Sequence, residues 1–204
     1  MANAVLDPAE KTRLSKLIAY VLRHGAAKEK LSLRDDGYLK VTDLLARPKF
    51  KGVTFEQIQY VVDTNDKQRY KLLQEDGEWW IRANQGHSLK VKVEMDPIND
   101  ASNVVAVHGT SLEAWEHIKQ SGGLKRMNRN HIHLAPGLPS EGKVISGMRA
   151  TSQVYIFINL DKALKDGIPF YRSSNQVILT EGVNGFLSID YFESVQDRHG
   201  QRIL

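Results

Sequence analysis

The spacing of apolar residues changes once along this chain, near residue 100, and that change points to an α+β fold, built as one large domain or two small ones. Upstream the period is helical. Asp7 is suited to cap a helix and Pro8 to its first position, and Leu14, Leu17, Ile18, Val21 and Leu22 then follow the i, i+3, i+4 rule. Gly25 reads as the stop, which puts Arg23 and His24 in the last helical turn. Asp35-Asp36-Gly37 is a turn before a short strand at Tyr38-Leu39-Lys40-Val41. Thr42 is placed to cap Asp43–Ala46 before Pro48, and Thr54 with Gln57 forms a capping box opening a third helix. Tyr70–Leu73 and Trp79–Arg82 flank Glu75-Asp76-Gly77-Glu78 as a hairpin, and Lys90–Glu94 alternates like a strand.

The polar, turn-rich run from Asp96-Pro97 to Ser102-Asn103 marks the boundary, giving parts 1–95 and 103–204. Beyond it strands dominate: Val104–His108, His131–Ala135, Val154–Leu160 and Val177–Thr180. One helix, Leu112–Gln120, is capped by Ser111 and stopped by Gly122-Gly123. Helices followed by a hairpin are the layout of a winged helix-turn-helix, or of a small α+β cap without a binding role.

Composition narrows the classes. With 204 residues and 41% hydrophobic content the chain can bury a core. It has no cysteine, which removes disulfides, thiol nucleophiles and Cys-based zinc sites. Residues 1–10 hold Asp7 and Glu10 and no apolar core, so no secretory leader is expected. The longest aliphatic run, Val104–Val107, is far short of the ~18 residues of a spanning helix. A soluble, intracellular monomer is expected, cytoplasmic or nuclear, with no membrane contact. The net charge of +4, divided evenly over the two halves, permits an anionic partner without requiring one.

Three arginines and a histidine stand at the ends of apolar or periodic segments: Arg23, His24, Arg69 and Arg149. Arginine's planar fork meets phosphate oxygens two at a time, and histidine beside it can move a proton near neutrality. That distribution suits a phosphate-gripping pocket assembled where two lobes join; singly, each residue could equally cap a helix end. Arg82, His87 and Ser88 lie in one seven-residue, Gly-containing turn that suits an anion. His108-Gly109-Thr110 ends a strand, with Gly109 allowing close backbone approach. His131 and His133, two apart on one strand face, have no third ligand pattern, so a metal site is not expected. Gly137–Val144 spells G-x-x-x-x-G-K but has Val144 where a P-loop needs a hydroxyl for magnesium.

Taken together, eight segments resemble the NAD⁺-dependent RNA 2′-phosphotransferase family, enzymes that remove the splice-junction 2′-phosphate left on ligated tRNA. They are Leu14-Ser15-Lys16 through Leu22-Arg23-His24, Asp36-Gly37-Tyr38, Asn65–Arg69, Gln85-Gly86-His87-Ser88, His108-Gly109-Thr110, His131–Gly137, Ile145-Ser146-Gly147-Met148-Arg149, and Arg172-Ser173-x-Asn175-x-Val177. They run in the family's order over about residues 14–180.

The resemblance implies a winged-helix lobe holding RNA in residues 1–95 and an ADP-ribosyltransferase-like lobe holding NAD⁺ in residues 103–204. It maps a catalytic tetrad onto Arg23, His24, Arg69 and Arg149 and places RNA near Arg82, His87 and Ser88. NAD⁺ would meet His108, Gly109, Thr110, His131, His133, Ser146 and Gly147, the histidine-histidine-hydrophobic signature falling on His108, His133 and the Val177 strand. The implied reaction has two steps: the RNA 2′-phosphate displaces nicotinamide, giving 2′-phospho-ADP-ribosyl RNA, and the ADP-ribose 2″-hydroxyl then attacks phosphorus. The products are 2′-hydroxyl RNA, ADP-ribose 1″,2″-cyclic phosphate and nicotinamide, and NAD⁺ is a co-substrate with no metal required. Two alternatives are an ADP-ribosyltransferase that stops after the first step, on a nucleic-acid terminal phosphate or a protein, and a non-enzymatic RNA-binding module.

Overall fold

A computed structural model describes residues 6–139 and 145–204. The last five residues of the G-x-x-x-x-G-K stretch and the first five of the chain lie outside the described residues. The chain divides into two compact units, Met1–Glu94 and Met95–Leu204.

In the first unit, Glu10 N donates to Asp7 Oδ1 at 2.8 Å and Asp7 N to Glu10 Oε2 at 3.3 Å. This reciprocal cap starts α1, Pro8–Tyr20, which buries Leu14 and Ile18. The α-helix does not run on to Gly25 as its apolar stripe suggests. Val21–Gly25 form a single π-turn, followed by a 3₁₀ turn at Ala26–Glu29 that ends on Lys30 in the left-handed region, φ 57°. Gly25 is thus no stop; its bare Cα lets the Tyr20 ring lie on it, where a Cβ would come 2.4 Å from Tyr20 Cε1.

The short strand is β1, Leu39–Lys40, and α2 follows directly as Val41–Leu45. Thr42 lies inside that helix, which starts without a side-chain cap because Lys40 occupies the cap position. The capping box at Thr54 and Gln57 is present and opens α3, Phe55–Asp63. Strands β2, Tyr70–Glu75, and β3, Glu78–Ala83, are longer than the sequence pattern suggests. Only Asp76-Gly77 separates them, at φ 49° and 79°, the two positive values a tight hairpin turn demands. The antiparallel sheet has the order β1-β3-β2. Ile18, Leu22, Leu44, Phe50, Ile58 and Ile81, all fully buried, are the centre of this unit's core. Lys90–Glu94 do not form a strand; Lys92 N donates to Asp35 O at 2.7 Å without a ladder around it.

The second unit is mainly antiparallel sheet. Its strands are β4 (Met95–Pro97), β5 (Val107–Thr110), β6 (Gly123–Lys125), β7 (Ile132–Leu134), β8 (Val154–Ile158), β9 (Tyr171–Ser173), β10 (Ile178–Thr180), β11 (Phe186–Ser188) and β12 (Phe192–Asp197). Asp96 and Pro97, which look like linker by composition, pair with Arg172 and Tyr171 of β9. The sheets have the orders β4-β9-β10-β7, β12-β8-β5 and β11-β6. Val107 and Ala135 exchange main-chain hydrogen bonds of 3.0 and 2.7 Å and so tie β5 to the end of β7. Helix α4, Leu112–Ser121, is capped by Ser111 and stopped by Gly122 at φ 79°. Leu160 opens α5, Leu160–Lys165, and does not continue the strand before it. Trp115, Leu134, Ile156, Phe170 and Ile178 are in this unit's core. Ser173 Oγ, which donates to Asn175 Oδ1 at 2.7 Å and accepts from Val177 N at 3.0 Å, shapes the β9–β10 turn. Among the described residues no helix is long and apolar enough to cross a membrane, and no group of three His, Asp or Glu could hold a metal ion.

Candidate functional site

In the first unit the π-turn carries Arg23 and His24, and the 86–89 loop is fastened to it. The Arg23 carbonyl accepts from Ser88 N at 2.9 Å and from Leu89 N at 3.3 Å. Ser88 Oγ lies 2.8 Å from His24 Nδ1. Gly86, at φ +91°, leaves its Cβ volume to the Arg23 side chain, whose Nε would be 3.2 Å from a Cβ there. A π-turn widens the helix by one residue and frees main-chain groups that the α-ladder would use. Here the Arg23 carbonyl, near the end of that turn, receives the loop that brings Ser88 to His24.

Arg69 reaches the same neighbourhood from the turn before β2. Asn65 Oδ1 accepts from Arg69 N at 2.9 Å and from Arg69 Nη1 at 3.4 Å, fixing both the turn and the guanidinium. Asn84 closes it from the other side: its N donates to Arg69 O at 2.9 Å and its Nδ2 to Gln68 O at 2.7 Å. Burial pushes the Tyr70 phenol above its usual range, while the hydrogen bond with Ser15 and the charges of Arg23 and Arg69 pull it back. Both guanidinium groups therefore bear on one buried ring.

Arg82 and His87 sit differently. Arg82 is 2% exposed, donates to Glu94 Oε2 at 3.1 Å and stacks 5.0 Å from the Tyr38 ring centre. His87 is buried, its Nε2 facing Gly37.

In the second unit His108 and His133 share one pattern. His108 Nδ1 donates to His133 O and His133 Nδ1 to His131 O, each at 3.0 Å, since a carbonyl can only accept. In the neutral form of each ring Nε2 is then left as an acceptor. Burial holds both His108 and His131 below the ordinary histidine range. The 145–149 segment packs against these residues through two glycines. A Cβ at Gly109 would lie 2.5 Å from Met148 Cγ, and one at Gly147, φ +85°, 2.9 Å from Leu134 O. Ser146 and Arg149 flank those contacts, and Thr110 O accepts from Gln153 N at 2.8 Å. His108, Gly109, His133 and Gly147 are thus brought together, with Thr110, Ser146 and Arg149 on the adjoining backbone.

A statistical profile of the RNA 2′-phosphotransferase, Tpt1/KptA family matches residues 9–182. The chain belongs to that family. A Danio rerio protein named tRNA 2′-phosphotransferase 1 is 46% identical over 93% of this chain and 87% of its own length. The Homo sapiens protein of the same name is 47% identical over 91% and 77%. A Schizosaccharomyces pombe relative, named putative tRNA 2′-phosphotransferase, is 47% identical over 93% of this chain, which spans about half of that protein.

For this member of the Tpt1/KptA family, the residue the sequence reading passes over is Arg129. Partial desolvation and then the charge of Arg149 hold the Arg129 guanidinium below its ordinary value, so the two charges act on one another. Its position two residues before His131 was a usable signal. Asn65 and Asn84, which hold the Arg69 turn, were visible only as members of polar motifs.

Proposed function

We propose that this chain removes the internal 2′-phosphate of RNA, as on spliced tRNA, by transferring it to NAD⁺. The observation that carries the reading is the fastening of the 86–89 loop to the π-turn that bears Arg23 and His24, with the Arg69 guanidinium held by Asn65 in the same unit. Two forked cations and an imidazole held by main-chain and side-chain bonds are a phosphate grip of the preorganised kind. The element order α1, β1, α2, α3, β2, β3 supports a winged-helix reading of the first unit as the RNA lobe. Family membership supports the reaction class.

NAD⁺, as co-substrate, would supply the ribose carbon that takes the phosphate as nicotinamide leaves, and the hydroxyl that then displaces the RNA. The second unit's residues fit that molecule. His108 and His133, each with Nδ1 held by a carbonyl, offer Nε2 acceptors suited to ribose hydroxyls. Gly109, Thr110, His131, Ser146 and Gly147 complete the binding set. Arg23 and Arg69 orient the phosphate dianion for the first step. Arg149, on which the Arg129 charge acts, stabilises the charge on the phosphoryl oxygens in the second. His24 contacts the phosphate, and no metal enters the scheme.

The test is incubation with a 2′-phosphorylated oligonucleotide, with and without NAD⁺, followed by product separation. The expected result is NAD⁺-dependent conversion to a 2′-hydroxyl with an ADP-ribose cyclic phosphate. Accumulation of ADP-ribosylated RNA alone would move the function to a transferase that ends at step one. No reaction and no NAD⁺ binding would leave an RNA-binding module.

A further inference from the structure

We infer that Ser88 is a positioning residue that fixes neutral His24 with its proton on Nε2, making His24 a hydrogen-bond donor to the phosphate, not its base. The tautomer follows from the first unit's own geometry; the role toward phosphate rests on the function proposed above.

The Ser88 hydroxyl has one proton and two acceptors within reach, His24 Nδ1 at 2.8 Å and the Arg23 carbonyl at 3.4 Å. That carbonyl already receives two N–H groups, from Ser88 and Leu89. A carbonyl oxygen has two lone pairs, so both are engaged, and the third, longest approach is the weakest. The hydroxyl proton therefore goes to Nδ1. An Nδ1 that accepts carries no proton in the neutral ring, and the proton sits on Nε2.

The contrast with the second unit sharpens the assignment. His108 and His133 give their Nδ1 protons to carbonyls and keep Nε2 as an acceptor. His24 faces a hydroxyl and takes the opposite form. One chain thus holds two kinds of imidazole, an Nε2 donor suited to an anion and Nε2 acceptors suited to hydroxyl groups.

The arrangement also explains the loop's attachment. Because Ser88 N and Leu89 N both end on the Arg23 carbonyl, the hydroxyl is delivered to the residue that follows. Losing the hydroxyl leaves the loop's main-chain bonds in place and removes the constraint on the ring together with the long contact to the Arg23 carbonyl.

The experiment is long-range ¹H–¹⁵N NMR of the full chain labelled on histidine, at a pH where His24 is neutral, assigned with His24→Gln. The wild type is expected to show a protonated Nε2 and an Nδ1 resonance displaced as a hydrogen-bond acceptor. Ser88→Ala should lose that displacement, with kcat on the 2′-phosphorylated oligonucleotide falling about 10- to 100-fold, the cost typical of losing a group that orients a metal-bound histidine. Ser88→Thr should restore both. A protonated Nδ1 in the wild type, or an Nδ1 resonance unmoved in Ser88→Ala, overturns the inference even if turnover is normal. The expected tautomer in a protein that never turns over the oligonucleotide would sink the proposed function and leave the Ser88–His24 assignment standing.

Discussion

At Gly86 a glycine is required twice over. Its φ of +91° is costly for any L side chain, and the space a Cβ would need is filled by Arg23 Nε, Cδ and Cζ at 3.2–3.4 Å. Gly86→Ala is expected to lower stability by about 1–2 kcal/mol, the usual penalty of left-handed backbone, and to displace the Arg23 fork. Titration with the 2′-phosphorylated oligonucleotide should show weakened binding; unchanged affinity would mean that Arg23 does not grip the phosphate. Arg69→Lys probes the fork itself. A point charge cannot keep both the Asn65 bond and a two-oxygen contact, so turnover should drop by about 100-fold or more. Near-normal rates would refute bidentate binding. For Arg149→Ala the proposed division of labour predicts accumulation of the ADP-ribosylated RNA, and Arg129→Ala should resemble it because the two charges act on one another. Unmodified substrate throughout would remove Arg149 from the second step.

At the scale of elements, what local chemistry decides was legible in the sequence. The caps at Asp7, Thr54 and Ser111, the Asp76-Gly77 turn and the Gly122 stop each involve residues within four positions of one another. Thr54→Ala should therefore cost about 1 kcal/mol in urea unfolding, the ordinary value of such a cap, without altering kcat. A change in turnover would mean that α3 takes part in the site. The π-turn was not legible, because its carbonyl partner lies 65 residues away and no periodicity encodes it. The same holds for Arg129 and Arg149, whose interaction depends on where two loops settle. The 90–94 segment shows the converse error: its alternation is real, yet without a ladder of partners it makes no strand.

Over the whole molecule, the α+β composition and a change of texture near residue 100 were readable because each unit has its own apolar core. The enclosed histidines give the stability a pH dependence with a definite sign. Burial lowers His108 and His131 below the ~6.5 of an unfolded histidine, so as pH falls through that value the unfolded chain takes up protons the folded one resists. Their contribution is complete above that range and is lost toward acid. Urea midpoints should decline from pH 7.5 to 5.5, and less steeply in His108→Asn; an equal slope in the variant would discharge His108 from the effect. A different consequence follows from the loop fastened to Arg23. Its closing bonds join residues 64 and 65 positions apart, a long loop whose ends must meet before His24 has its partner. During synthesis the α1 cap is complete as soon as that helix emerges, but in the proposed phosphate grip His24 lacks its partner until Ser88 has left the ribosome and docked. Affinity for a phosphorylated RNA would then be acquired late, in one step, by chains whose first unit has finished folding.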